Sequence, residues 1–241
     1  MTAPRPVWLL DLDNTLHDAG THVFPRINQA MTDYVARTLA LSHDEASALR
    51  VHYWRRYGAT LLGMIRHHDT DPHEFLREAH PFPDLHRLVA RDHGLRQMLR
   101  RLPGRKIVVT NGPAAYAAGV LRALGVARLV DDLIPIEAMQ FAGRFMPKPS
   151  RAMMRKLVAR LRVPARRCVL VEDSADNLRA ARACRVRTVL VTDTGWDHHT
   201  RIDTALTYGF PPKLRALDQA LSAALDDLRD RELQDDVLVA V

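Results

Sequence analysis

Long apolar runs are missing from this sequence of 241 residues. None approaches the roughly 20 residues that a membrane-spanning helix requires, so no membrane association is expected. The apolar stretch Val7 to Leu10 is cut by Asp11 before it reaches the length of a secretory signal's apolar core. Cysteine is scarce too. Cys168 and Cys184 are the only two, too few for a disulfide framework, and each reads as a small core residue, Cys168 in a strand and Cys184 on a helix. Internal repeats and low-complexity tracts are absent, and no motif specifies an oligomeric state. Together these absences lead us to expect a cytoplasmic globular protein.

The charge balance is basic, with 35 lysines and arginines against 28 acidic residues, a formal net charge of +7. The arginines nevertheless come in short scattered pairs, Arg55-Arg56, Arg100-Arg101 and Arg166-Arg167, and are not gathered in one stripe with aromatics between them. No nucleic-acid module is recognisable, so a nucleic-acid polymer is not the expected partner. A solvated basic surface that attracts small anionic substrates fits better.

What is present begins with Val7-Trp8-Leu9-Leu10-Asp11-Leu12-Asp13-Asn14-Thr15-Leu16. The apolar run reads as a strand buried on both faces, as in a parallel sheet. Alternation in extended chain puts Asp11 and Asp13 on one side and Leu12 on the other. Two carboxylates leaving a buried strand together need a cation or a proton, so the pair reads as a metal site, an acid/base site or both.

Residues 17–92 contain helices and no convincing strand. Ile27, Ala30, Met31, Tyr34, Val35 and Leu39 form one apolar helical face. Ser42 to Glu45 is a capping-box pattern, Gly58 a stop, Ala59 to His68 a third segment, and Asp71-Pro72 an N-cap with proline at the first helical position. From Leu95 onward, helices alternate with short apolar strands at Lys106–Val109, Leu133–Ile136, Cys168–Val171 and Thr188–Val191. Pro135 points to an edge position for the second of these. A loop-like segment at 193–211 and a helix from Lys213 to Arg231 follow. Alternation of this kind predicts an α/β fold, an open parallel sheet covered on both faces, with ligands bound beyond the carboxyl ends of the strands.

Three polar clusters fall at those ends: Asp11 with Asp13, Thr110 with Asn111, and Glu172 with Asp173. A strand-end carboxylate can attack phosphorus and form an aspartyl-phosphate. Repulsion opposes it, since one pair of unit charges about 4 Å apart at an effective dielectric near 20 costs about 4 kcal/mol. Mg2+ is the natural remedy, being a hard ion that bridges carboxylates to a substrate phosphate. Lys148, stiffened by Pro147 and Pro149, is a second. Thr110 and the backbone N–H of Asn111, at the start of a helix, can hold phosphate oxygens.

In this order Asp11-Leu12-Asp13-Asn14-Thr15, Val109-Thr110-Asn111-Gly112, Lys148-Pro149 and Val171-Glu172-Asp173-Ser174 with Asn177-Leu178 resemble the four motifs of the haloacid dehalogenase-like phosphatases. The resemblance implies a Rossmann-like core of residues 1–16 and 93–241 with an inserted all-helical cap domain at 17–92. It makes Asp11 the nucleophile and Asp13 the general acid/base, with Thr110 and Lys148 on the phosphoryl group. Mg2+ is then held by Asp11, the backbone carbonyl of Asp13 and Asp173, with Glu172 in the outer shell on a metal-bound water. The dehalogenases lack an acid at the second position because a halide leaves without a proton, so Asp13 points to phosphate esters. Phosphomutases share these residues. A non-catalytic phosphate-binding module would show degraded motifs, and none of the four is degraded.

A narrower resemblance lies in the cap, where Tyr53-Trp54-Arg55-Arg56-Tyr57-Gly58 with Gly63 looks like the pyrimidine 5′-nucleotidase branch. It implies UMP or CMP as substrate, with Tyr57 stacking on the base and Arg55, Arg56 or His80 bonding base or ribose. At helical spacing, Tyr53, Trp54 and Tyr57 read equally as cap core. The adjacent pairs His67-His68 and His198-His199 do not face one another on a helix or strand and read as solvated.

Overall fold

The computed structural model describes residues 5–89, 91–191 and 237–240. The expected loop at 193–211, with His198 and His199, and the expected helix from Lys213 to Arg231 lie outside the described residues.

Strand β1 (Val7–Leu10) sits inside a parallel sheet between β2 (Arg105–Val109) and β6 (Cys168–Glu172), with Leu10 opposite both Val108 and Val171. With β3 (Asp132–Ile134), β7 (Arg187–Val191) and β8 (Val237–Ala240) the sheet has, among the described residues, six strands in the order β3-β2-β1-β6-β7-β8. Alternate residues of the central strands feed two separate cores. Trp8, Leu10, Val108, Val169 and Val171 pack on one face with α6 (His93–Arg101) and α7 (Ala114–Ala123). Val7, Leu9, Ile107, Cys168 and Leu170 pack on the other with α8 (Arg151–Leu161) and α9 (Ala175–Arg182). Burial on both faces is why these strands read as unbroken apolar runs.

Five helices separate β1 from α6: α1 (Val23–Leu39), α2 (His43–Tyr57), α3 (Thr60–His68), α4 (Pro72–Ala79) and the short α5 (Leu85–Leu88). The first four build a third core around Tyr34, Tyr53, Met64, Phe75 and Leu76, joined by Ile136 from the segment after β3, while Leu85 of α5 packs into the sheet-face core with α7. The caps form as the sequence implies. Glu45 N–H donates to Ser42 Oγ at 3.4 Å while Ser42 N–H donates back to Glu45 Oε2 at 2.9 Å. Asp71 caps α4 ahead of Pro72, and Gly58 ends α2 at φ 84°.

Some expectations need correction. The expected strand at Leu133–Ile136 stops at Ile134, because Pro135 leads into a 3-10 turn; it does lie at the sheet edge. Cys184 lies beyond the end of α9, where its thiol donates to Arg151 O at 3.6 Å. Strand β8 and the hairpin of β4 (Gln140–Phe141) and β5 (Arg144–Phe145) have no counterpart in the sequence reading. That hairpin turns through Ala142 and Gly143, both at positive φ, 48° and 75°.

Candidate active site

The ladder carries the three polar clusters to one place. Asp11 N–H donates to Val171 O at 2.9 Å, extending the β1–β6 pairing one residue into the motif. Thr110 N–H donates to Ile134 O at 3.1 Å and does the same for β2. After Asp13 the chain turns through Asn14 in the left-handed region, φ 60°. Asn14 Oδ1 accepts the N–H groups of Ala19 and Gly20, both at 3.1 Å, and so closes the loop leading to α1. The Thr15 hydroxyl donates to Asp11 Oδ2 at 3.1 Å.

Lys148 unites the clusters. Its ammonium, buried like its partners, donates to Asp11 Oδ1 and, at 2.8 Å, to Glu172 Oε2. Its backbone is held by one side chain: Asn111 Nδ2 donates to Lys148 O at 3.0 Å and Asn111 Oδ1 accepts Lys148 N–H at 2.9 Å. The reading of Asn111 is thereby corrected in part. Helix α7 starts only at Ala114, so Asn111 is not at the helix start, and its side chain is committed to the lysine loop. Thr110 Oγ1 accepts the N–H of Gly112 at 2.9 Å.

Oxygens of Asp11, Glu172 and Asp173 lie within 4.8 Å of one another. Burial pushes the Asp11 carboxyl up to about 7, and Glu172 and Asp13 add to the rise against the pull of Lys148. Burial raises Glu172 and Asp173 as well. Lys148 stays charged against its own desolvation because Asp11 and Glu172 flank it. Three carboxylates and one ammonium leave a formal charge of minus two, the charge one divalent cation cancels. This all-oxygen donor set fits Mg2+. Glu172, expected only in an outer shell, is also the second anchor of Lys148.

Asp13 lies outside that group. Its Oδ1 accepts from the Tyr116 hydroxyl and from His17 Nε2, the latter at 2.9 Å. Burial and the Asp13 charge keep the Tyr116 phenol protonated. Sequence reasoning missed Tyr116 and His17. The signal available for His17 was its place 4 residues after Asp13, whereas Tyr116 carried none.

The four cap candidates separate. His80 reaches the site, with its ring 5.3 Å from Tyr116; desolvation lowers its pKa, and its Nδ1 bonds Leu76 O at 2.9 Å. Tyr57 bonds His67 Nε2 at 2.7 Å beneath the Arg66 guanidinium, 5.6 Å from the ring. Gly58 beside it approaches the core, a Cβ there lying 3.8 Å from Pro149 Cδ. Arg55 and Arg56 are exposed on α2. Tyr53 is buried against Gly63, where a Cβ would meet its Cγ at 2.2 Å, and it bonds His68 at 2.7 Å. His67 and His68 are therefore partners of tyrosines rather than simply solvated. A cavity of about 650 Å3 opens beside Tyr116, walled by His80, Phe82, His86 and Arg122.

Residues 7–185 match the sequence profile of the haloacid dehalogenase-like hydrolases. Residues 172–241 match a family designated protein of unknown function DUF1501. A curated relative, phosphate metabolism protein 8 of Saccharomyces cerevisiae, is 27% identical over 140 residues, 54% of this chain and 43% of that protein. The chain thus spans less than half the length of that relative. Among solved structures, a HAD phosphatase from Thermococcus onnurineus aligns with TM-score 0.50 at 20% identity, covering 80% of this chain and 90% of that one. The L-2-haloacid dehalogenase of Xanthobacter autotrophicus aligns with TM-score 0.51 at 15% identity, covering 89% and 88%. At these identities the likeness is one of fold.

Proposed function

From the premise that the chain belongs to the haloacid dehalogenase-like hydrolases, we propose that it is a Mg2+-dependent phosphatase of pyrimidine nucleoside 5′-monophosphates, releasing nucleoside and phosphate. The observation that carries the phosphatase reading is the buried Lys148 ammonium shared by Asp11 and Glu172 beside Asp173. A cation and an anionic cluster in contact form a receptor for a phosphate that arrives with a divalent metal. The name of the yeast relative, a phosphate metabolism protein, agrees with this class.

In this reading Asp11 attacks phosphorus, and the electrons of the ester bond pass to the leaving oxygen. Asp13 gives that oxygen its proton. It then removes a proton from the water that splits the aspartyl-phosphate. Lys148 and Thr110 hold the phosphoryl oxygens, and Asn111 keeps the Lys148 backbone in place. Bound Mg2+, held by Asp11, Asp173 and the Asp13 carbonyl, would supply the positive charge that lets a dianionic ester approach these carboxylates. Residues 17–92 serve as a cap domain that excludes water, and the Gly58–Pro149 approach brings it against the lysine loop.

The choice of pyrimidine nucleotides rests on the resemblance of the Tyr53–Gly63 stretch. One observation favours a second reading, a phosphatase of small metabolites such as a sugar phosphate, pyridoxal phosphate or FMN. Tyr53 and Tyr57 are engaged with Gly63, His67 and His68, which explains the motif by packing alone. Phosphate release from a panel of esters decides between them. UMP and CMP should have the highest kcat/KM, and a preference for another ester would move the protein to the second class.

A further inference from the structure

We propose that Tyr116 and His17 are positioning residues that occupy Asp13 Oδ1 together and so confine the transferable proton of Asp13 to Oδ2. This rests on the reading of Asp13 as the general acid.

The argument starts with His17. Its side chain is only 4% exposed, and Nδ1 is buried with no hydrogen-bond partner among the described residues. A buried N–H left unpaired costs about 1–3 kcal/mol, more than an idle lone pair, so the ring proton belongs on Nε2. Nε2 faces Asp13 Oδ1 at 2.9 Å and must therefore donate to it. The Tyr116 hydroxyl, on a residue 4% exposed, reaches the same oxygen from α7, an element far away in sequence. An oxygen that accepts from two donors cannot also carry a proton. When Asp13 is neutral its proton is on Oδ2.

Gly112 makes the grip possible. A Cβ there would come within 2.9 Å of the Tyr116 ring, so glycine directly after Thr110 and Asn111 lets the ring approach. The rings of His80 and Phe82, 5.3 and 5.4 Å away, fix it from the other side. The carboxyl is thus held in one orientation before substrate arrives. The chemical step follows in balance. The Oδ2–H bond breaks as the O–H bond of the leaving alcohol forms. Oδ2 then regains a proton from water as the water oxygen bonds to phosphorus and the bond from phosphorus to the Asp11 oxygen breaks, its electrons returning to the Asp11 carboxylate.

Two esters with different leaving groups test this. UMP expels an alkoxide that needs the proton, whereas p-nitrophenyl phosphate expels a stable phenolate that does not. With Tyr116→Phe or His17→Leu, kcat/KM for UMP should fall about 10- to 100-fold while that for the aryl ester stays within about threefold. His17→Gln keeps an N–H donor and should recover most of the UMP activity. Equal losses on both esters, or no loss on UMP, would overturn the proposal. Should one variant fail to fold, the other makes the same comparison. Wild-type protein inactive on both esters would instead refute the phosphatase reading and take the inference with it.

Discussion

The strand-tip site and the helical cap use their recognisable residues in opposite ways. At the strand tips motif residues bond other motif residues: Lys148 to Asp11 and Glu172, Asn111 to the Lys148 backbone, Thr15 to Asp11. In the cap, the stretch that resembles a specificity motif is consumed by packing, with Tyr53 over Gly63 and Tyr57 on His67. Chemistry in the core is set by buried charges that need one another. The helical block is held by shape, with Tyr34, Tyr53, Met64 and Phe75 packed in its core. His80 is the candidate whose ring stands beside Tyr116, the partner of Asp13.

The largest expected effect breaks the core half of this contrast. Asp11→Asn should lower turnover by about 10^4-fold or more while the fold survives, as removal of a nucleophile does in comparable enzymes. Far-UV circular dichroism alongside phosphate release checks both parts, and substantial remaining turnover would exclude a covalent step at Asp11.

Next is the ammonium. Lys148→Met leaves Asp11 and Glu172 facing each other without compensation, a change expected to cost about 3–5 kcal/mol at neutral pH. Urea unfolding measures it, and the loss should shrink on acidification as the carboxylates protonate.

The cap should answer to volume instead of charge. Gly63→Ala drives a methyl into the Tyr53 ring and should destabilise by about 1–3 kcal/mol. Arg55→Ala and Arg56→Ala, both exposed, should change kcat/KM less than twofold. A large loss with either arginine would show that α2 does reach the substrate and would undo the contrast.

Smallest is a pH linkage. In metal-free protein the Asp11 carboxyl lies near 7, above its ordinary 3.8, so the folded state favours its protonated form. The stability this confers is full below about 3.8 and is lost as pH rises through about 7. Mg2+ should restore it, so the metal-induced rise in Tm should grow between pH 5 and pH 8. A rise that is flat with pH would separate metal binding from this carboxylate.

The core was legible because burial on both faces writes continuous apolar runs into β1, β2, β6 and β7, and because carboxylates at their ends must find a cation. Strand β8 escaped because a four-residue apolar run, Val237 to Ala240, has no local signal that tells a strand from a helix end. Tyr116 escaped for a different reason. A tyrosine on the buried side of a helix looks like packing, and only the partner of its hydroxyl, 103 residues away, reveals its use. The Tyr53–Gly63 stretch shows the same limit of pattern, since spacing alone does not tell an aromatic that binds ligand from one that seats a neighbouring helix.

The central claim, that a strand-tip carboxylate bonds to phosphorus, is open to one direct measurement. Protein mixed with UMP and Mg2+ and quenched in acid within a single turnover can be digested and its peptides weighed. The account predicts one added phosphoryl group on the peptide containing Asp11, absent in Asp11→Asn. Turnover of UMP with no phosphoryl group on that peptide, or with one on another residue, would contradict it.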